Sequence, residues 1–229
     1  MDNWLIKFLS SSIGRKLIMS LTGLFLILFL IVHLIGNLQL FKDDNGEAFN
    51  VYARFMTSNP LIKIIAYGNY FFILLHAFLG IYIARYNRKA KGQQPAVANP
   101  NVKISWESKN MPILGGLIFA FLLMHMGDFW LKMKMGEVNM VTYAGVEGQV
   151  KDLYERVSIS FKELWIVIVY LVGLLALAFH LKHGFQSAFQ TLGLNHRKYT
   201  PFIKTLGLVF SIVVPFLFAT MPIYYYFFK

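Results

Sequence analysis

Five apolar stretches, separated by short polar segments, dominate the pattern of hydrophobic and polar positions along the chain. A membrane-spanning helix needs about 20 predominantly apolar residues, and each stretch is long enough. Little sequence remains for a soluble domain. The pattern therefore predicts one all-α integral membrane domain over 1–229, with five transmembrane helices in a bundle. The predicted spans are 17–41, 61–86, 111–131, 161–189 and 202–228.

The polar segments predict smaller elements. Residues 2–9, with Trp4, are amphipathic and typical of an interfacial helix, and the serines at 10–12 can cap the first span. Residues 150–157 carry apolar side chains at helical spacing, which predicts a short helix on the outer surface. Segments 87–110, with GQQPAVANPN, and 191–200 are expected to be irregular connections. The first span is too long for a signal peptide, so we expect it to be retained.

Composition narrows the chemistry. The chain has no cysteine, which excludes iron–sulfur ligation by this chain and covalent c-type haem. The net charge is +11, and 13 of the 22 Lys and Arg residues fall at the end of the bundle that holds the N-terminus. The positive-inside rule then places the N-terminus in the cytoplasm and the C-terminus outside. The basic inner face reflects topology alone, or it also docks a partner or anionic lipid.

Each of the first four spans places one histidine within its apolar stretch: His33, His76, His125 and His180. Hydrocarbon is a poor solvent for imidazole, so each ring must gain a partner there. At 1.5 Å per residue, His33 and His125 lie about 12 and 9 Å from the outer ends of their spans. His76 lies about 15 Å from the inner end of its span, and His180 lies near the inner end as well. Depth therefore predicts two pairs of rings at two levels.

Two histidine pairs at two depths suit two bis-histidine haem sites that carry electrons across a bilayer. Glycines follow the histidines at helical spacing and are expected to give room beside each ligand. These glycines are Gly36, Gly80 and Gly184.

Three alternatives stay open. The histidines could form a relay in a haem-free proton or solute carrier, could be remnants in a purely structural anchor, or could bind zinc. Carriers usually show broken helices and charged groups near the midplane, whereas here the deepest charged residue, Asp128, lies toward an outer end. A zinc site needs its ligands at one level rather than two. Nucleic-acid binding is disfavoured because there is no basic soluble domain.

Longer stretches of sequence resemble a known family. These are GRKLIMSLTGLFLILFLIVHLIGNLQLF, the histidine in each of the next three spans, and FHLKHGFQSAFQ with its H-x-x-x-G. The chain resembles, over nearly its whole length, the single-chain, five-helix, di-haem cytochrome b anchors of succinate dehydrogenase and fumarate reductase.

The resemblance implies a subunit of a respiratory oxidoreductase complex in the bacterial cytoplasmic membrane. Flavoprotein and iron–sulfur subunits on the cytoplasmic face would carry out the dicarboxylate chemistry, which links the complex to the tricarboxylic acid cycle. This chain would relay electrons through two haem b groups to a quinone, commonly menaquinone. The chain agrees with that division of labour because it has no G-x-G-x-x-G motif and no cysteine cluster.

The resemblance also implies residue roles. His76 and His180 would ligate the inner, proximal haem, with His183 as the alternative to His180. His33 and His125 would ligate the outer, distal haem. Candidates for contact with haem propionates are Arg15, Ser20, Lys182 and His183. Candidates for the quinone site, expected near the outer haem, are Asn37, Gln39, Asp43, Asp44, Glu47, Asp128 and Trp130. His196 receives no role.

The direction of the reaction is less constrained. Some menaquinol-oxidising fumarate reductases carry a glutamate just before the fourth-helix ligand, where this chain has Ala178 and Phe179. This difference favours succinate oxidation, with a quinol:fumarate reductase anchor as the alternative.

Overall fold

The computed structural model describes residues 4–91 and 105–229, and these ranges are almost wholly helical. Five of the helices are long and apolar enough to cross a membrane, which confirms the predicted all-α architecture. The α-helices are α1 Trp4–Ser10, α2 Ser12–Asn37, α3 Glu47–Ser58, α4 Pro60–Lys91, α5 Trp106–His125, α6 Lys132–Met135, α7 Leu153–Phe161, α8 Leu164–Thr191 and α9 Thr200–Phe228. The remaining elements are a 3-10 turn at Leu38–Phe41, a π-helical turn at Met126–Leu131, and antiparallel strands β1 Met140–Val141 and β2 Val150–Lys151.

Helix ends follow local hydrogen bonding. Ser11 caps α2 by accepting a hydrogen bond from the Gly14 backbone N–H at 3.0 Å, as the serine cluster predicts. Ser105 caps α5 in the same way, so the third span begins before the predicted residue 111. Helix α4 continues beyond the predicted residue 86 into charged residues that favour helix. The stretch GQQPAVANPN of the predicted irregular segment 87–110 lies wholly outside the described residues, as do residues 2 and 3 of the predicted interfacial helix.

Helix α8 is at the centre of the bundle and packs against α2, α5 and α9, while α4 packs mainly against α2. The end of the bundle opposite the N-terminus is called the outer end, after the predicted topology. One apolar cluster fills this end, around Phe161, Tyr170 and Tyr225, and a second lies closer to the N-terminal end, around Ile27 and Phe185. Many other apolar side chains on the spans face outward, as expected for lipid contact.

The outer segments form more structure than the sequence predicts. Helix α3 lies in the polar segment 42–60, and Asp44 caps it by accepting from the backbone N–H groups of Gly46 and Ala48, both at 3.0 Å. The predicted outer helix starts at Leu153 because Asp152 caps it, so Val150 belongs to β2 instead. This helix closes the outer end of the bundle.

A buried amide joins these outer segments. Asn50 on α3 is 1% exposed, and its Nδ2 donates to Tyr143 Oη at 2.8 Å and to Asp152 Oδ1 at 2.9 Å. Its Oδ1 accepts from the Tyr154 backbone N–H at 3.0 Å. Burial raises the pKa of the Tyr143 phenol, so this hydroxyl stays neutral at physiological pH. The amide therefore fixes α3, the strand pair and α7 as one outer layer.

Candidate cofactor sites

The structure brings four histidine rings together as two facing pairs. His33 on α2 and His125 on α5 have ring centroids 5.8 Å apart, with their planes at 89°. His76 on α4 and His180 on α8 have centroids 6.1 Å apart, with planes at 65°. These are the two pairs that depth along the helices predicts.

The pairs fit iron porphyrin better than a bare metal ion. An imidazole nitrogen binds a first-row metal ion at about 2 Å, so two rings on opposite sides of one ion have centroids about 6 Å apart. Across residues 4–91 and 105–229, no group of three or more His, Cys, Asp or Glu side chains could hold a metal. Each pair thus offers only two donors. A porphyrin supplies the other donors itself and needs only two axial ligands, whereas structural zinc needs four protein ligands.

The inner pair is oriented by a hydroxyl group. Thr22 Oγ1 lies 2.8 Å from the Ile18 carbonyl oxygen and 3.1 Å from His76 Nδ1. The threonine hydroxyl donates to the carbonyl, so it can accept from the Nδ1–H of His76. That tautomer leaves the lone pair of Nε2 free for a metal. His180 Nδ1 is buried and has no hydrogen-bond partner in the described chain.

The outer pair sits in an aromatic shell. Phe29 and Phe218 pack on His33, with centroids 5.2 and 5.5 Å from its ring. Asn37 Nδ2 donates to the His33 carbonyl oxygen at 2.8 Å and lies 3.4 Å from Nδ1 of the same residue. On the other side, the Tyr170 hydroxyl lies 2.9 Å from His125 Nδ1. Aromatic side chains therefore make up much of the surroundings of this pair, with one amide and one phenol as polar partners.

The glycines near the histidines do not all act as predicted. A Cβ on Gly36 would collide with Tyr52 of α3, so the absence of a side chain at Gly36 makes room for the Tyr52 ring. The prediction that Gly36 makes room for a cofactor was therefore wrong. No described atom lies within 4 Å of a Cβ built on Gly184, and Gly80 has only the Met19 methyl group at 3.8 Å. The sequence analysis missed Gly23, where a Cβ would stand 3.3 Å from His76 Cε1.

The propionate candidates lie at the inner end, and three of them, Lys182, Ser20 and Arg15, already have protein partners. Lys182 Nζ is 2.5 Å from the Glu107 carboxylate, whose side chain is only 11% exposed. Ser20 donates to the Lys16 carbonyl oxygen at 2.9 Å. The guanidinium of Arg15 donates to the Ser10 carbonyl oxygen at 2.8 Å and lies 4.8 Å from the Tyr82 ring. Glu107 was missed because an acidic residue at a helix start has an ordinary structural explanation.

His183 and His180 are separated by their positions on α8. His180 faces His76, whereas His183 is half-buried and has no ring contact with any other described histidine. The structure therefore favours His180 as the partner of His76. His196 lies exposed in the turn before α9, where it stacks on Tyr199.

The structure does not gather the quinone candidates into one site. Asp128 is not solvated: it accepts from Ser160 Oγ at 2.6 Å and pairs with Arg156 and with Lys132 at 3.2 Å. Asp44 is a helix cap, and Trp130 packs edge-on against Tyr70, with centroids 5.8 Å apart. Along the described ranges, no side-chain hydrogen bond links any two of Asn37, Gln39, Asp43, Asp44, Glu47, Asp128 and Trp130.

Comparison with known proteins agrees with the resemblance seen in the sequence. The chain is 29% identical over 170 residues to the succinate dehydrogenase cytochrome b558 subunit of Bacillus subtilis (strain 168), and the match covers 73% of each chain. No family model and no solved structure matches the chain. The relative confirms the similarity to succinate dehydrogenase cytochrome b anchors, and together with the five long apolar helices it supports a multi-pass membrane protein.

Proposed function

We propose that this chain is the membrane-anchor subunit of a succinate:quinone oxidoreductase, in which it relays electrons from an iron–sulfur subunit to a membrane quinone through two haem b groups. Two facing pairs of imidazole rings carry the proposal. Four separate apolar helices contribute the rings, and the ring centroids within each pair are 5.8 and 6.1 Å apart. The name of the Bacillus subtilis relative supports the same assignment.

His33 and His125 would hold the outer haem, and His76 and His180 the inner one. A bound haem supplies reversible one-electron iron chemistry, and two histidine ligands leave no axial position for oxygen. The protein supplies orientation and exclusion of water. Thr22 selects the ligating tautomer of His76, and the phenylalanine rings around the outer pair keep it dry.

The inner face suits docking of the flavoprotein and iron–sulfur subunits. Several cationic side chains are exposed at that end of the bundle. The sequence has no G-x-G-x-x-G motif and no cysteine cluster for the flavin and iron–sulfur chemistry, which fits partner subunits there. The positive-inside rule places this end in the bacterial cytoplasm. The exposed cations are Arg85, Arg88, Lys89, Lys109, Arg197, Lys198 and Lys204.

The quinone would react near the outer pair, and menaquinone is our proposed substrate. Asn37 is the best placed of the candidates because its amide already touches His33. Asp128 is disfavoured because three partners occupy its carboxylate. Ala178 and Phe179 before the fourth-helix histidine favour succinate oxidation over fumarate reduction.

Deleting this chain from its native host tests the function. We expect membranes to lose succinate-driven quinone reduction while extracts keep succinate oxidation with a soluble dye as acceptor, because the dicarboxylate chemistry belongs to the partner subunits. Wild-type chain and the His196→Ala variant should both restore quinone reduction. Membranes that lack the chain and still reduce quinone with succinate at the normal rate would contradict the proposal.

A further inference from the structure

One histidine of the outer pair is bound by a buried phenol. The Tyr170 hydroxyl on α8 lies 2.9 Å from Nδ1 of His125 on α5, and the tyrosine is 5% exposed. It makes no other hydrogen bond within the described chain. The contact joins two transmembrane helices through one polar bond in an otherwise apolar region, where such a bond is costly to lose.

The phenol is held rigidly in this position. Phe121 and Phe161 meet the Tyr170 ring edge-on, with centroids 5.0 and 4.9 Å away and planes at 90° and 83°. Gly173, one turn along α8, makes this packing feasible, because a Cβ there would stand 2.6 Å from Phe121 Cγ. The aromatic cage leaves the ring little freedom, so the hydroxyl is aimed at His125.

The hydrogen bond occupies Nδ1 of His125, so Nε2 is the nitrogen left to meet a metal. If Nε2 binds iron, Nδ1 carries the proton and donates to the phenol oxygen. A hydrogen-bond acceptor at Nδ1 fixes the ring orientation and makes the ligating nitrogen more basic. A more basic ligand stabilises the ferric state relative to the ferrous state and lowers the reduction potential.

We propose that Tyr170 is a positioning residue that orients His125 through its Nδ1 and thereby tunes the reduction potential of the outer haem. The proposal rests on the proposed function, because it takes His125 as an axial ligand. It is specific to one site: the inner pair has its own hydroxyl partner, Thr22 on His76, and Tyr170 has no contact with that pair.

Redox titration of the purified chain, with the two haems resolved optically and by electron paramagnetic resonance, tests this inference. In Tyr170→Phe we expect the ferric-to-ferrous equilibrium of the outer haem to shift about tenfold toward the ferrous state, or about 59 mV upward for one electron. The low-spin ferric signal of the same haem should move. The potential of the inner haem should stay unchanged.

Two further variants separate ligand tuning from a loss of packing. Tyr225→Phe removes another buried phenol, whose hydroxyl donates to the Leu40 carbonyl oxygen at 3.0 Å, and should leave both potentials unchanged. Thr22→Val should shift only the inner haem. If Tyr170→Phe does not fold, 3-fluorotyrosine at position 170 keeps the shape and weakens the acceptor, and it should give a smaller upward shift of the outer haem.

The outcomes distinguish this inference from the proposed function. Two bound haems with unchanged potentials in Tyr170→Phe, or in the fluorinated protein, would overturn the role of Tyr170 and leave the anchor function intact. Equal shifts of both haems would overturn it as well. A wild-type chain that binds no haem would instead overturn the proposed function.

Discussion

Alanine in place of His33 or His125 is expected to remove the outer haem and leave the inner one, which halves the haem content of the purified chain. Alanine in place of His76 or His180 is expected to remove the inner haem. Each iron would lose one of two axial ligands, and the facing ring alone cannot replace it. Haem per chain and the reduced absorption bands of detergent-purified variants measure the effect.

Two histidines elsewhere in the chain serve as matched controls for these variants. His196→Ala should keep both haems because His196 lies exposed in a turn. His183→Ala should also keep both, since it is His180 that faces His76. If His183→Ala loses the inner haem and His180→Ala keeps it, the ligand on α8 is His183 and not His180.

Removing the Asp128 carboxylate is expected to cause the second large effect, a loss of stability at the outer end. Asp128 is 12% exposed and pairs with Arg156, which is 17% exposed, while Ser160 donates to it at 2.6 Å. In Asp128→Leu the guanidinium of Arg156 stays buried without the carboxylate that neutralises its charge. We expect the free energy of unfolding to fall by about 3–5 kcal/mol, measured by denaturant titration in detergent.

The same ion pair offers internal controls. Lys132 also contacts Asp128, but its side chain is 36% exposed and can reach water, so Lys132→Ala should cost at most about 1 kcal/mol. The double variant Asp128→Leu with Arg156→Leu should be more stable than Asp128→Leu alone, because no unpaired charge remains. Equal losses in the single and double variants would contradict the unpaired Arg156 guanidinium as the cause of the instability.

The histidine pairing was predictable because helix rise converts sequence position into depth, and only four buried rings had to be matched. Their hydrogen-bond partners were not predictable. Thr22 and Tyr170 come from other helices, and their contacts depend on how each helix is rotated about its axis. Local spacing was misleading at Gly36, which follows His33 by three residues but makes room for Tyr52.

The outer layer was only partly predictable for a different reason. The sequence of helix α3 is amphipathic, but its position depends on capping by Asp44 and on the buried Asn50 amide, whose partners come from distant segments. The π-helical turn after His125 also changes the direction of Asp128, which in a regular α-helix would lie on nearly the same face as that histidine. The carboxylate instead meets Arg156 and Ser160 on α7.

The most direct test is the number of haems bound by the purified wild-type chain, together with the spin state of their iron. The facing pairs His33–His125 and His76–His180 predict two haem b groups per chain, both low-spin and six-coordinate in the ferric and ferrous states. A folded chain with one haem or none, or one whose reduced haems bind carbon monoxide as readily as five-coordinate iron does, would contradict the account.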